Sequence, residues 1–380
     1  MLTLQSVLSR YYLSYASGRR VRADVQRAAQ RILECGTAAL GTHVQHCGCG
    51  HIARLAFNSC RHRYCPQCSG GRRAQWLNRI SGELLPCDHV HVIFTIPEAL
   101  NSFWRFNRVL FSNLLMQASR ESLQQLLGDE KYLGAQPGII SALHTWGRNL
   151  SVHPHVHCLV TAGGQRDGAF VVQKRSTLLP SKVLMIVFRA RLRVLLRRAI
   201  ERGELSIPTS LTTVRSLSLL NRLGREPWNV RIQERYRDGV SVAGYLARYI
   251  TGGPIGNRRL AAITAESVTF RYRDHRDGEE KLMSLSPDVF LARWLEHVPP
   301  RGLRMIRRSG LYANCHKAFR EELRSRVEPK LPAAPPQVPL EPERCPRCNE
   351  LVRTYELFRP RTMPNERCRW AQTRAMGQPP

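Results

Sequence analysis

Ser151-Val-His-Pro-His-Val-His-Cys-Leu-Val-Thr161 is the stretch that decides the fold. Side chains alternate along an extended chain, so Val156, Cys158 and Val160 share one face while His155 and His157 share the other. Such a strand offers one face to a core and keeps the other for chemistry. His89-Val-His-Val-Ile-Phe-Thr-Ile-Pro97 repeats the arrangement, with Val90, Val92, Phe94 and Ile96 opposed to His89, His91, Ile93 and Thr95. If the two strands are sheet neighbours with helices on a single side, the histidines meet on the open side. Imidazoles gathered there can bind Mg, Mn or a softer ion, which would polarise a phosphate as a Lewis acid. A metal also wants a third protein ligand. His91 is the first choice beside His155 and His157, with His89 and His153 as rivals.

A second motif lies downstream, Tyr245-Leu-Ala-Arg-Tyr249, in a helical pattern over Val240–Thr251 that Gly252-Gly253-Pro254 stops. Two tyrosines at i, i+4 fall on one helix face. A phenol titrates near 10 and is a poor nucleophile unless the phosphate it attacks is activated. Metal-binding histidines and tyrosines together can cut a DNA strand and hold its end covalently. Two tyrosines allow two successive transfers, and Arg248 between them suits a phosphate.

Cysteines supply the third signal. His46-Cys-Gly-Cys-Gly-His51 is followed by Cys60-Arg-His-Arg-Tyr-Cys-Pro-Gln-Cys68. The knuckle Cys65-Pro-Gln-Cys68 has the spacing of a tetrahedral zinc turn, and the expected partner pair is Cys47 and Cys49. Cys60 is the alternative ligand, and His51 and His62 are further candidates. Arg54, Arg61, Arg63, Arg72 and Arg73 around the knuckle suit DNA phosphates. The tail repeats the motif as Cys345-Pro-Arg-Cys348, with Cys368 as the nearby third cysteine. Cys35, Cys87, Cys158 and Cys315 read as plain buried thiols.

Composition agrees with a nucleic-acid partner. The 380 residues carry 58 Lys and Arg against 29 Asp and Glu, a net charge of +29 spread along the chain. No apolar run approaches the roughly 18 residues that a membrane span needs, so no membrane partner is expected. Cys-x-x-Cys pairs without a secretory signal point to zinc in the reducing cytoplasm, near the nucleoid.

Six segments follow: N-terminal helices over 1–40, a zinc-binding domain over 41–80, a nuclease domain over 86–260 containing the tyrosine helix, its C-terminal continuation over 261–328, a Pro-rich linker over 329–343 and a basic cysteine-containing tail over 344–380. Helical periodicity runs through Asn101–Leu127, with Phe103, Phe106, Val109, Leu110 and Leu114 on one stripe, and through Lys182–Arg202 and Pro287–His297. Asn229–Ile232 reads as a strand. Ser267–Tyr272 and Glu280–Leu285 pair around the Asp277-Gly278 turn.

Five stretches together resemble the two-tyrosine HUH rolling-circle transposases, insertion-sequence family 91 and its common-region relatives. They are NSCRHRYCPQC (58–68), HVIFTIP (91–97), HTWGRNLSVHPHVHCLVTAGG (144–164), YLARYITGGPIGNRRL (245–260) and GLRMIRRSGLY (302–312). The resemblance implies an α+β fold: a small zinc-binding domain, then an HUH endonuclease domain with a ferredoxin-like or RNA-recognition-like antiparallel sheet. It places His155 and His157 on the HUH metal pair, for Mg or Mn, and Tyr245 and Tyr249 on the nucleophiles. The implied activity is cleavage and rejoining of single-stranded DNA at element ends and target through a 5′-phosphotyrosine. Two departures stand out: the first cysteine pair is shortened to Cys-x-Cys, and Tyr64 stands where relatives often carry histidine. A rolling-circle replication initiator with the same chemistry is the alternative enzyme, and a non-catalytic zinc-finger DNA-binding protein the alternative outside enzymes.

Overall fold

A computed structural model of the chain describes residues 2–173, 177–237, 243, 244, 247, 253–274, 276–326, 344–358 and 375–376, without the side chains of 234, 354–358 and 375–376. The architecture is α+β with antiparallel sheets. Two N-terminal helices, α1 (Leu4–Ala16) and α2 (Ala23–Leu33), lead into the hairpin β1 (Thr42–His46) and β2 (Ile52–Phe57) and then α3 (Ser69–Ser81). The Thr3 hydroxyl caps α1 by accepting the Ser6 N–H at 3.0 Å. Strand β3 (His89–Thr95) is followed by α4 (Asn101–Phe106), α5 (Arg108–Gly128), β4 (Gln136–Trp146), β5 (Val152–Arg166) and β6 (Ala169–Val172). Then come α6 (Ser181–Glu201), α7 (Thr213–Leu223) and β7 (Val230–Tyr236), the small strands β8 (Leu260–Ile263), β9 (Val268–Arg273) and β10 (Glu280–Leu285), the helix Pro287–Glu296, β11 (Ile306–Gly310) and the helix Lys317–Ser325. In the tail, β12 (Arg353–Phe358) precedes β13 (Ala375–Met376).

The main sheet runs β11–β4–β5–β3–β7, with β6 pairing the end of β5. Its neighbours are antiparallel throughout. The expected faces hold: Val90, Val92, Phe94, Val156, Cys158 and Val160 enter one core with α5 and α6. Helix α6 delivers Leu184, Phe188, Leu192 and Leu196 at four-residue spacing, and the Phe188 ring sits 4.8 Å from that of Phe94. Burial of such a side chain contributes about 1.5–3 kcal/mol each, which makes this face the main source of the domain's stability.

The helix expected over Asn101–Leu127 is interrupted. Asn107 leaves the helical region at φ −131° and ψ 43°, and its side-chain amide donates to the carbonyls of Phe103 and Ser206. That break rotates the second helix, so Phe106 and Val109 of the expected stripe are exposed and Phe111, Leu115 and Leu123 are buried instead. Residues 261–326 divide between two places. Strands β8 to β10 and helix Pro287–Glu296 pack on α1 and α2, with Phe270, Phe290 and Trp294 against Leu4, Leu8 and Ile32. Strand β11 instead adds an edge to the main sheet beside β4.

Gly310 closes that edge. Its φ is +57°, and a Cβ there would run into the Pro137 carbonyl oxygen. Gly310→Ala is therefore expected to destabilise by more than about 1 kcal/mol, read as a lower melting temperature; an unchanged midpoint would contradict this reading of the β4–β11 edge.

Candidate active site and metal centres

Strand β5 lies between β4 and β3, so both neighbours flank its histidines. His144 of β4 stands opposite His155, and the small Ala142 opposite His157. On the other side Thr95 faces His155 and Ile93 faces His157. The pleat turns all of these to one face. Ring nitrogens of His144, His155 and His157 come within 4.8 Å of one another. The rings of His144 and His157 are 4.1 Å apart, and that of His155 is 5.1 Å from His144 and 4.8 Å from His157.

The sequence expectation named His91 as companion to the pair. The structure gathers His144 with the pair and sets His91 against His157 outside that group. His91 pairs with Leu159 along the strand, and its Nε2 lies 2.8 Å from His157 Nδ1. The two rings lie nearly parallel, with centroids 5.0 Å apart. Of the two rivals, His89 is engaged elsewhere, its Nε2 2.6 Å from the Tyr312 hydroxyl; His153 lies beside the group, its ring 5.0 Å from that of His155 and its backbone carbonyl accepting the His155 Nδ1–H at 2.6 Å. This last bond fixes the His155 tautomer and leaves Nε2 as the free lone pair. His144 went unread because the strand carrying it went unread.

Burial disfavours the imidazolium form throughout. It pushes His91 down to about 4 and His155 to about 3. It holds His144 and His157 well below the ordinary histidine value, with neighbouring imidazoles adding to the effect. Neutral rings are the form that ligates a metal. His144 and His157 are buried, whereas His155 is half-buried, so the cluster meets solvent on the His155 side.

Beyond the histidines the same face is covered. Trp76 and Ile80 of α3, with Ala243, Ala247, Leu311 and Tyr312, pack on Ile140, Ala142 and Leu159. Ala243 and Ala247 are helical and fully buried. Tyr245, Arg248 and Tyr249 lie outside the described residues.

The cysteines assemble differently from the expected single centre. Cys65 and Cys68 join Cys35 and Cys60, while Cys47 and Cys49 join Cys345 and Cys348. Within the first group, Cys60 Sγ and Cys68 Sγ are 3.7 Å apart. Tetrahedral zinc with about 2.3 Å bonds requires sulfur–sulfur edges of about 3.8 Å, so the group fits zinc. Backbone N–H groups of Cys60 and His62 donate to the sulfurs of Cys35 and Cys60, both at 3.4 Å. The Cys60 side chain beside it pulls the Cys35 thiol down. Cys35 is thus a cluster member rather than a plain thiol. Of the other three so read, Cys158 is buried, Cys87 half-buried and Cys315 exposed. His51 and His62 join no cluster among the described residues, and Cys368 lies outside them.

Tyr64 has a different use from a ligand's. Its ring is buried and stands edge-on to Trp146 at the end of β4, with centroids 5.9 Å apart. One aromatic contact therefore joins the cysteine loop to the strand that carries His144. Arg61, Arg63 and Arg72 line a shallow groove of about 350 Å³ with Pro299 and Pro300. His62 in the same groove is pushed down to about 4, by burial first and then by Arg63 and Arg72. The groove is thus strongly electropositive. Arg73, half-buried on α3, is not part of its lining.

Known proteins resemble the chain along most of its length. A family model described as "Putative transposase" matches residues 138–319. One described as "Transposase zinc-binding domain", of the IS91 type, matches residues 7–96. The protein named "Putative transposase y4qJ" of Sinorhizobium fredii is 37% identical over 320 residues, covering 82% of this chain and 80% of that one. The "Transposase for insertion sequence element IS801" of Pseudomonas savastanoi pv. phaseolicola is 32% identical over 295 residues, 75% of this chain and 69% of that one. No solved structure matches. No described helix is long and apolar enough to cross a membrane. The zinc-binding match contains the four cysteines of the first cluster, the transposase match contains all three clustered histidines, and two transposases are more than 30% identical over three quarters or more of the chain: the chain belongs to the IS91 family of transposases.

Proposed function

We propose that the chain cleaves and rejoins single-stranded DNA at the ends of an insertion element, in the cytoplasm, by rolling-circle transposition. The observation that carries this reading is the convergence of three neutral imidazoles, His144, His155 and His157, within 4.8 Å on one sheet face. Ala243 and Ala247, which bracket Tyr245 in sequence, pack on that same face.

In this reading the phenolic oxygen of Tyr245 or Tyr249 attacks the scissile phosphorus. The bond from phosphorus to the 3′ oxygen breaks, the strand's 5′-phosphate stays on tyrosine, and the proton that the phenol gives up is balanced by one taken up by the departing 3′ oxygen. That hydroxyl, or one from target DNA, reverses the step and frees the tyrosine. The second tyrosine serves the second strand end. His155, His157 and His144 hold a divalent cation, and an all-imidazole set favours Mn over Mg. When bound, the cation supplies Lewis-acid polarisation of the phosphate. Arg248 contacts the phosphate between the two tyrosines, and Arg61, Arg63, Arg72 and Arg73 hold the strand's backbone.

The test is cleavage of labelled single strands spanning the ends of the protein's own element, with Mn or Mg or a chelator, and with duplex controls. Metal-dependent cutting of the single strand is expected. Tight binding with no cutting under any metal would leave a zinc-binding DNA protein without nuclease activity. Replacing Arg61, Arg63 and Arg72 together by Ala should weaken binding for every sequence alike. It should also lower the slope of log affinity against log salt by about 2, at roughly 0.7 per single-strand phosphate contact; an unchanged slope would place the DNA elsewhere.

A further inference from the structure

Cys47 and Cys49 sit at the tip of the β1–β2 hairpin. Cys345 and Cys348 sit in a second tight turn, closed by the Arg344–Leu351 bridge. All four sulfurs lie within 4.8 Å of one another. Cys49 Sγ is 3.7 Å from Cys345 Sγ, and Cys47 Sγ is 3.2 Å from Cys348 Sγ. These separations approach the roughly 3.8 Å edges that four thiolates adopt around zinc.

The two turns are built alike. In the first, the Cys47 N–H donates to the His51 carbonyl and the Gly50 N–H to the Cys47 carbonyl, each at 3.0 Å, with Gly50 at φ +83°. In the second, the Cys345 N–H donates to Glu350 and the Asn349 N–H to Cys345, each at 2.9 Å, with Asn349 at φ +59°. The Arg347 N–H points at Cys345 Sγ at 3.4 Å, the contact that stabilises a coordinating thiolate. The first turn is one residue shorter, which accommodates the Cys-x-Cys pair. Strand β12 then runs antiparallel to β1, with Arg353 opposite His46, so both turns project from the same end of one sheet.

We infer that Cys47, Cys49, Cys345 and Cys348 hold a second tetrathiolate zinc ion, a clasp that fastens the C-terminal segment to the N-terminal zinc-binding module. Each thiol gives up its proton to solvent on binding. The clasp joins cysteines up to 301 positions apart. It makes the module a product of both ends of the chain, and it is independent of how the DNA is cut.

Zinc per chain, measured on the full-length protein, tests it. Cys345→Ser/Cys348→Ser should lose one zinc relative to the parent, as should Cys47→Ser/Cys49→Ser. The quadruple variant should also lose one. A loss of two in the quadruple variant would mean separate sites, and no loss in the tail variant would mean no metal there; either overturns the clasp. A second readout starts from the parent protein and tests the linkage itself. A specific protease site placed within 331–342 is cut in the parent protein. The tail should then co-elute with the body, and should separate when the cut chain carries Cys345→Ser/Cys348→Ser. Separation from the parent at full zinc content, or retention in the variant, would also overturn it.

Discussion

His157→Ala, His155→Ala and His144→Ala should each abolish strand cleavage, lowering the single-turnover rate by about 1,000-fold or more, while His91→Ala costs only about 10- to 100-fold. The larger figure follows from losing a Lewis acid that stabilises transition-state charge by several kcal/mol, at tenfold per 1.36 kcal/mol. The smaller is the usual cost of removing an outer residue that orients a ligand. His144, His155 and His157 converge within 4.8 Å, whereas His91 stands outside that group and contacts His157 at 2.8 Å. Melting temperatures measured alongside separate loss of chemistry from loss of fold, because His144 and His157 are buried. If His91→Ala were as damaging as His155→Ala and His144→Ala mild, His91 would be the third ligand and the assignment of His144 would be wrong.

Cys65→Ser should prevent the N-terminal module from folding. Cys35, Cys60, Cys65 and Cys68 form a compact four-sulfur group. Structural zinc in such groups contributes apparent binding energies of about 10–16 kcal/mol, comparable with the whole stability of a domain, about 5–15 kcal/mol. The loss would spread, because Cys60 and Cys65 share a core with Leu4, Ile32, Trp146 and Trp294. Thermal unfolding with and without a zinc chelator reads the effect. Cys158→Ala is the control: this thiol is buried, pushed up to about 12 by that burial, and belongs to neither cluster. Equal melting temperatures for Cys65→Ser and the parent would show that the first cluster does not hold the module together.

What the sequence made legible follows from period. Strands β3 and β5 have one apolar and one histidine face, so alternation identified both, their facing histidines and the core residues Val92, Phe94 and Val156. Strand β4 is buried on both faces, with Ile139, Ile140, Ala142 and Leu143 all nearly inaccessible. A run like that has no alternation to read, and His144 was lost with it. The helix stripe over Asn101–Leu127 failed for a related reason: Asn107 shifts the phase, and no proline or glycine announces it. The cysteines failed on partnership. Spacing identifies a turn that can offer two sulfurs, but it does not choose which turns meet. Cys47 and Cys49 are near Cys65 and Cys68 in sequence, yet the sheet sets them beside Cys345 and Cys348. Tyr64, a departure when read as a lost ligand, is understandable once it is seen against Trp146.

A tyrosine that carries the DNA strand should be trapped on it. Purified protein mixed with labelled single-stranded element ends and Mn is denatured and separated by size. A labelled protein–DNA adduct should appear, fall or change its end preference in Tyr245→Phe and in Tyr249→Phe, and vanish in the double variant and with chelator. An adduct that persists in the double variant, or cleavage that continues without one, would rule out tyrosine as the carrier.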